Sequence, residues 1–258
     1  MSKSNWKTAI TKVKPNEIRL KGYRLDELMG KISFAQAVYL ALKGELPSEN
    51  VGKLLDAIFV SSIDHGVTPP SALSAMTVAS TGAPLNAAVA SGILAISRFH
   101  GGAIEDCMGV LLQTHEKHTF KKISVEKAAQ EIVDEYRQTG RRISGFGHRI
   151  HSEDPRTMKL FKMVKEFKMN QTYIEIAQTI EKALEAQLGK KLPINVDGAI
   201  AAVLCELEIP PKLANAFFMI ARVPGLVAHI YEEQTRQRPM RIINPAEHEY
   251  DGPENRSL

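Results

Sequence analysis

The chain has 258 residues, 44% of them hydrophobic and 24% charged, the composition of a globular protein able to bury a large core. Its formal net charge of +4 is dispersed, and no basic run interleaves with aromatic residues, which argues against nucleic acid and leaves room for small acidic ligands. Cys107 and Cys205 show neither metal-ligand spacing nor a disulfide framework, Met1–Lys12 has no signal-peptide pattern, and no apolar run reads as long and charge-free enough to span a bilayer, so a cytoplasmic location is expected.

From Thr8 to Leu20 a weak alternation brackets Pro15-Asn16 and predicts a short hairpin. Helical periodicity follows almost everywhere. Val51, Leu54, Leu55, Ile58 and Phe59 share a face behind Pro47-Ser48. The stretch Ala72–Ser97 is rich in Ala, Ser, Gly and Thr, which predicts a buried, closely packed helix pair that could also serve as a dimer contact. Ser124 reads as an N-cap for a stripe of Ala128, Ile132, Val133 and Tyr136 that ends at Gly140. Leu160, Phe161, Val164 and Phe167 form a stripe after Pro155, and Tyr173, Ile176, Ala177, Ile180 and Leu184 form another that Gly189 closes. A final pair of helices is expected over about Pro211–Ala221 and Leu226–Gln234, with an extended tail after Pro239. The fold class is therefore all-α, a helical bundle with a smaller helical subdomain and a short N-terminal hairpin.

Polar residues interrupt these patterns at helix junctions, where loops can present function on a rigid frame. They are Asp64-His65-Gly66, His100-Gly101-Gly102, Gly145-Phe146-Gly147-His148-Arg149, Asp154-Pro155-Arg156, Asn195-Val196-Asp197-Gly198, Arg222 among apolar neighbours, and Arg238-Pro239. Singly, each has a structural reading. His65 and His100 could be hydrogen-bonded core residues, Asp197 an N-cap, Arg222 a buried ion-pair member and the glycines around Phe146 an ordinary turn. Gly145-Phe146-Gly147 is no dinucleotide fingerprint, since no strand precedes it and the third glycine is absent. The histidines make no metal set, because Asp154-Pro155 breaks any helix that would align His148 with His151.

In combination the motifs resemble the citrate synthase superfamily over nearly the whole chain. The matching segments are IRLKGYRLDELMGKISFAQAVYLALKGELPS, IDHGVTPPSALSAM, FHGGAIED, SGFGHRIHSEDPR, INVDG and FFMIARVPGLVAHIYEE through Arg238-Pro239, all in order. The resemblance implies a large helical domain of residues 1–104 and 191–258 and a small CoA-binding subdomain of residues 105–190. It implies His100 as the donor that steadies an acetyl-CoA enol, Asp197 as the group exchanging the acetyl methyl proton, and His148 as the partner of the ketone or tertiary hydroxyl oxygen. His65, Arg156, Arg222 and Arg238 would hold carboxylates, Arg238 from a second subunit. Gly145, Phe146 and Gly147 would lie along coenzyme A, with Arg149 near its phosphates. A thioester α-carbon is a very weak acid, so proton transfer there calls for an aimed carboxylate and donors placed where charge develops. Neither step requires a metal or a permanently bound cofactor.

Two departures narrow the expectation. The chain passes almost directly from GELPS to LLDAIFVSSIDHG, without the helical block that citrate synthases carry between them. The NVDG segment and the spacing of GHR and HS are similar to the lyase module of ATP-citrate lyase and to stand-alone citryl-CoA lyases, although His100 is kept as in the synthases. The implied activity is cleavage of citryl-CoA to acetyl-CoA and oxaloacetate by a homo-oligomer, with a separate citryl-CoA synthetase as metabolic partner, since nothing resembles a ligase module. A compact citrate or 2-methylcitrate synthase and a non-catalytic CoA-binding subunit are the alternatives.

Overall fold

The computed structural model describes residues 6–97, 100–148 and 152–241. Among them, eleven helices follow a three-stranded antiparallel sheet, as the all-α reading requires. Strands β1 (Thr11–Lys14) and β2 (Glu17–Leu20) pair Val13 with Ile18, turning at Pro15-Asn16, where Asn16 takes a left-handed φ of 59°. A two-residue β3 (Tyr23–Arg24) adds to β2. The sequence pattern missed it, because two residues show no periodicity.

By packing, the chain divides into two compact units, residues 1–64 with 97–222 and residues 65–96 with 223–258. The expected subdomain of residues 105–190 lies wholly inside the first unit. That unit opens with α1 (Leu25–Leu28), α2 (Phe34–Lys43) and α3 (Glu49–Ser62). Ser33 and Gln36 close a reciprocal capping box on α2, and the Ser48 hydroxyl accepts from Val51 N to start α3. Then come α6 (Ala103–Lys121), α7 (Val125–Gln138), α8 (Pro155–Glu166), α9 (Thr172–Leu188) and α10 (Val196–Glu206). Ser124 caps α7 and Gly189 ends α9 in the left-handed region, as the sequence predicts.

Helix α10 is the axis of this unit. Val196 and every residue from Gly198 to Cys205 are buried, and α6, α8 and α9 all pack against it. A helix that is apolar all round must be enclosed, and the chain wraps it accordingly.

In the second unit, α4 (Pro70–Ser80) packs on α5 (Leu85–Leu94) through Ala75, Ala79 and Ala88, joined by Leu226 and Ile230. Burial is one-sided. Leu73, Leu85 and Leu94 are exposed, so the small-residue stretch is a half-covered pair where full enclosure was expected. The last helix corrects a second expectation. Instead of a pair, α11 runs unbroken over Pro211–Arg236 with Pro224 inside it, at the cost of one backbone hydrogen bond. By length and composition α11 is also apolar enough to cross a membrane, contrary to the sequence reading. Its wholly buried Ala214, Phe217, Leu226 and Ile230, with Arg222 also buried, are features of a core helix.

One contact in the first unit positions the site directly. The glycine turn pairs with the segment before α10: Gly147 N donates to Pro193 O at 2.7 Å and Asn195 N to Gly145 O at 3.0 Å. Gly145, at φ 89°, leaves no room for a Cβ beside Cys107 Sγ and Gly198 Cα. A Cβ on Gly198 would lie 2.3 Å from the Gly145 carbonyl oxygen. Gly198→Ala should therefore destabilise the protein by about 1–3 kcal/mol as overpacking, lowering the melting midpoint by several degrees. A thermal melt indistinguishable from the parent protein would show that this approach is not tight.

Candidate active site

The Asn195-Val196-Asp197-Gly198 turn resolves one ambiguity of the sequence. Asn195, not Asp197, is the N-cap of α10. Its Oδ1 accepts from Asp197 N at 3.0 Å and from Gly198 N at 3.1 Å, while its Nδ2 donates to Gly147 O at 2.9 Å. The Asp197 carboxyl is thereby freed from capping. Burial pushes it above the usual carboxylate range, against the opposing pull of the Arg156 and Arg222 guanidinium groups.

The two arginines hang from consecutive carbonyls at the end of α3. Arg222 Nε donates to Ser62 O at 3.0 Å and Arg156 Nη1 reaches Ser61 O at 3.5 Å. Arg222 is only 4% exposed, its guanidinium lies 4.8 Å over the Phe218 ring, and its Nη1 has no hydrogen-bond partner among the described residues. Burial lowers the Arg222 pKa while the charges of Asp64 and Asp197 oppose it, in keeping with the ion-pair role its apolar sequence context allowed, and the remaining Nη1 donor suits an added carboxylate.

His100 stands against the same aromatic residue, its ring edge-on to Phe218 at 5.7 Å. Its backbone exchanges two hydrogen bonds with Ser97, and Gly101, at φ 78°, turns the chain into α6. Burial, and then the Arg222 charge, lower its pKa, which keeps the imidazole neutral and able to donate without carrying charge.

Asp154, named in the sequence only as part of the Asp154-Pro155-Arg156 junction and given no role there, ties α8 to α10. Its carboxylate is buried, caps α8 at Arg156 N, pairs with the Arg156 guanidinium at 2.8 Å and accepts from Val196 N at 3.1 Å. Although burial opposes it, the Arg156 bonds and the nearby His148 hold its pKa below the ordinary value. The signal was present in Asp-Pro-Arg, where aspartate before proline is a helix-capping pattern.

His148 is half-buried and lines a cavity of about 560 Å³ together with Phe146, Gly147, Ile143 and Leu192. Four cations also line it: Arg137, Arg141, Arg142 and Lys190. The sequence reading had chosen Arg149 as the phosphate partner, and that residue lies outside the described residues. The adjacent Arg141-Arg142, three residues before Gly145, is the cue it passed over. Another cleft, of about 650 Å³ between α8 and α9, is larger but holds lysines and none of the groups named above.

The structure thus brings His100, Asp197, Arg156 and Arg222 into one electrostatic neighbourhood within the first unit, with His148 close to Asp154. His65 and Arg238 belong to the second unit, where both are exposed.

Comparison with known proteins gives four correspondences. The family described as "Citrate synthase, C-terminal domain" matches residues 47–246. The structure of a citryl-CoA lyase from Hydrogenobacter thermophilus superposes with a TM-score of 0.88 at 43% identity, covering 99% of this chain and 98% of that one. An ATP citrate lyase from Methanothrix soehngenii, solved with citrate and coenzyme A, superposes with a TM-score of 0.88 at 21% identity, covering 98% of this chain and 42% of that one, a likeness of fold. Among curated relatives, the citrate synthase of Haloferax volcanii is 30% identical over 205 residues, 78% of this chain and 51% of the relative. The chain spans about half the length of the curated relatives it matches.

The raised Asp197 pKa has a stability consequence. A carboxyl whose folded pKa lies above its unfolded value of about 3.9 makes the protein less stable as pH rises through that window. Asp197→Asn removes the buried charge and leaves the Asn195 cap in place. It should raise the melting midpoint at neutral pH, with the gain shrinking as pH falls through the raised folded pKa and gone below about 4. Melts across that range decide it; equal midpoints at pH 7 would contradict the burial cost.

Proposed function

The chain belongs to the citrate synthase family, and we propose that it is a citryl-CoA lyase, cleaving citryl-CoA to acetyl-CoA and oxaloacetate. The observation that supports the choice of lyase is the 43% identity to a citryl-CoA lyase that superposes with a TM-score of 0.88, against 30% identity to the citrate synthase of Haloferax volcanii.

In this reading the substrate's carboxylates sit on Arg156 and Arg222, the latter offering a buried, unpartnered Nη1. His148 takes the proton of the tertiary hydroxyl. The carbon–carbon bond beside it breaks, its electron pair passing to the thioester as an enolate while the former carbinol carbon becomes the oxaloacetate ketone. Neutral His100 donates to the enolate oxygen, where negative charge develops. Asp197 then protonates the carbon, and a carboxyl pushed up by burial can carry the proton it delivers. The CoA moiety lies along Gly145–Gly147, its phosphates facing Arg137, Arg141, Arg142 and Lys190 around the cavity.

The same proposal includes a homodimer in which Arg238 serves the neighbouring copy's site, a carboxylate role for His65, a separate citryl-CoA synthetase and a cytoplasmic setting. The curated relatives named as synthases support a second reading, condensation followed by thioester hydrolysis. A purely CoA-binding subunit would have no use for the proton-holding Asp197.

Purified protein given citryl-CoA, with malate dehydrogenase and NADH reporting oxaloacetate, should form oxaloacetate rapidly. Acetyl-CoA plus oxaloacetate should release little free CoA to a thiol reagent. Strong CoA release would make the chain a synthase, and silence in both assays would overturn the acyl-CoA reading. Asp197→Ala should cut turnover about 10²–10⁴-fold while the fold persists, and near-normal turnover would remove Asp197 from the chemistry.

A further inference from the structure

We propose that Asp154 is the positioning residue of this site, setting the carboxylate-holding Arg156 and the Asp197-bearing helix α10 in register with one another. The inference rests on the lyase reading for what the two groups do, and on geometry for how they are held.

The side chain of Asp154 has no solvent exposure, and its oxygens are saturated. Oδ1 accepts from Arg156 N and Arg156 Nε, both at 3.0 Å. Oδ2 accepts from Arg156 Nη2 at 2.8 Å and from Val196 N at 3.1 Å. Four donors on two oxygens exhaust the carboxylate's lone pairs, so Asp154 has no capacity left to move a proton or bind substrate. Its effect must pass through what it holds.

It holds two things. Engagement of Nε and Nη2 takes one edge of the Arg156 fork, and the long 3.5 Å contact of Nη1 to Ser61 O barely occupies the other. The Nη1/Nη2 edge is the one a substrate carboxylate would take, and Asp154 fixes its direction. The bond to Val196 N fixes the first residue of α10, one position before Asp197. A helix cap alone needs one acceptor oxygen, which Ser, Thr or Asn supplies as well. Only a carboxylate can give one oxygen to Arg156 and share the other between Arg156 and Val196. The same segment is clasped from other sides too, Ile194 N by Glu181 Oε1 at 2.8 Å and Ile194 O by Thr157 Oγ1 at 3.1 Å. Among those groups only Asp154 also touches a guanidinium.

Two variants separate the ties. Replacing Val196 by its α-hydroxy acid, an ester in place of the Asn195–Val196 amide, deletes only the N–H that reaches Asp154 and keeps the buried side chain. It should lower kcat at least tenfold with KM for citryl-CoA within twofold. Asp154→Asn has one acceptor oxygen where two are needed and should change both, raising KM and lowering kcat at least tenfold each.

Asp154→Asn also uncovers the Arg156 charge toward Asp197. That carboxyl faces Arg156 and Asp154 from α8, Arg222 from α11 and Cys107 from α6. Its pKa should fall, moving the alkaline limb of the cleavage rate to lower pH. Loss of the Asp154 charge moves that limb in either case, whereas a cap-only role would leave kcat and KM unchanged.

Wild-type kinetic constants in both folded variants would overturn the proposal. So would loss of folding in both, since Asp154 would then be a determinant of the fold and not of the site. If the parent protein fails to cleave citryl-CoA, the functional reading fails on its own. The positioning role is then read from a crystal structure of Asp154→Asn, in which the Arg156 guanidinium and the start of α10 should shift and must not stay in place.

Discussion

Two short backbone segments, Gly145–Gly147 and Pro193–Asn195, hydrogen-bond to each other, and the rest of the site is arranged around that pairing. Two segments without regular structure cannot leave their amides unpaired in a protein interior, and here each satisfies the other. The closeness is bought with glycine at 145 and 198, where the chain carbonyl and Cα lie too near for any side chain. From one segment the chain leads into the His148 region and the basic cavity. From the other it enters α10 at Asp197. The Asn195 amide, reaching Gly147 O while it caps α10, joins the two.

Electrostatics then act on a frame already fixed. Arg222, Arg156, Asp197 and Asp154 are four charged groups around one end of the unit, and burial alone would penalise all of them. Asp154 and Arg156 offset each other by direct pairing. Arg222 keeps an orphan Nη1 donor, and the Asp197 carboxyl is pushed toward its neutral form. Groups held at a cost after every cheaper arrangement is ruled out by the backbone are the ones with chemistry to perform.

Much of this was legible from residues alone, and the reasons for the misses are physical. Helix stripes and caps such as Ser124 and Gly189 follow from local rules and appear where the periodicity put them. The family motifs named His100, Asp197, Arg156 and Arg222, because those residues sit at junctions where polarity interrupts an apolar pattern. Pro224 misled the reading, since a proline is a local helix breaker that packing along a long buried helix can override. Asp154 was passed over because one tie joins it to Val196, 42 residues away, and a capping signature gives no hint of such a partner. The basic rim of the cavity was missed for a related reason, as Lys190 meets Arg141 and Arg142 only through the packing of α7 and α9.

Cys107, wedged beneath Gly145, has a practical consequence. Both thiols of the chain are buried and lack disulfide partners, and burial pushes each up, Cys205 to about 12, so neither exists as a reactive thiolate in the folded protein. A colorimetric thiol titration of the native protein is therefore blind to the polypeptide, and any yellow colour it develops comes from another thiol in the solution. Once the Gly145–Gly198 contact opens, the same reagent reaches sulfur, and the chain reports its own unfolding without any attached label.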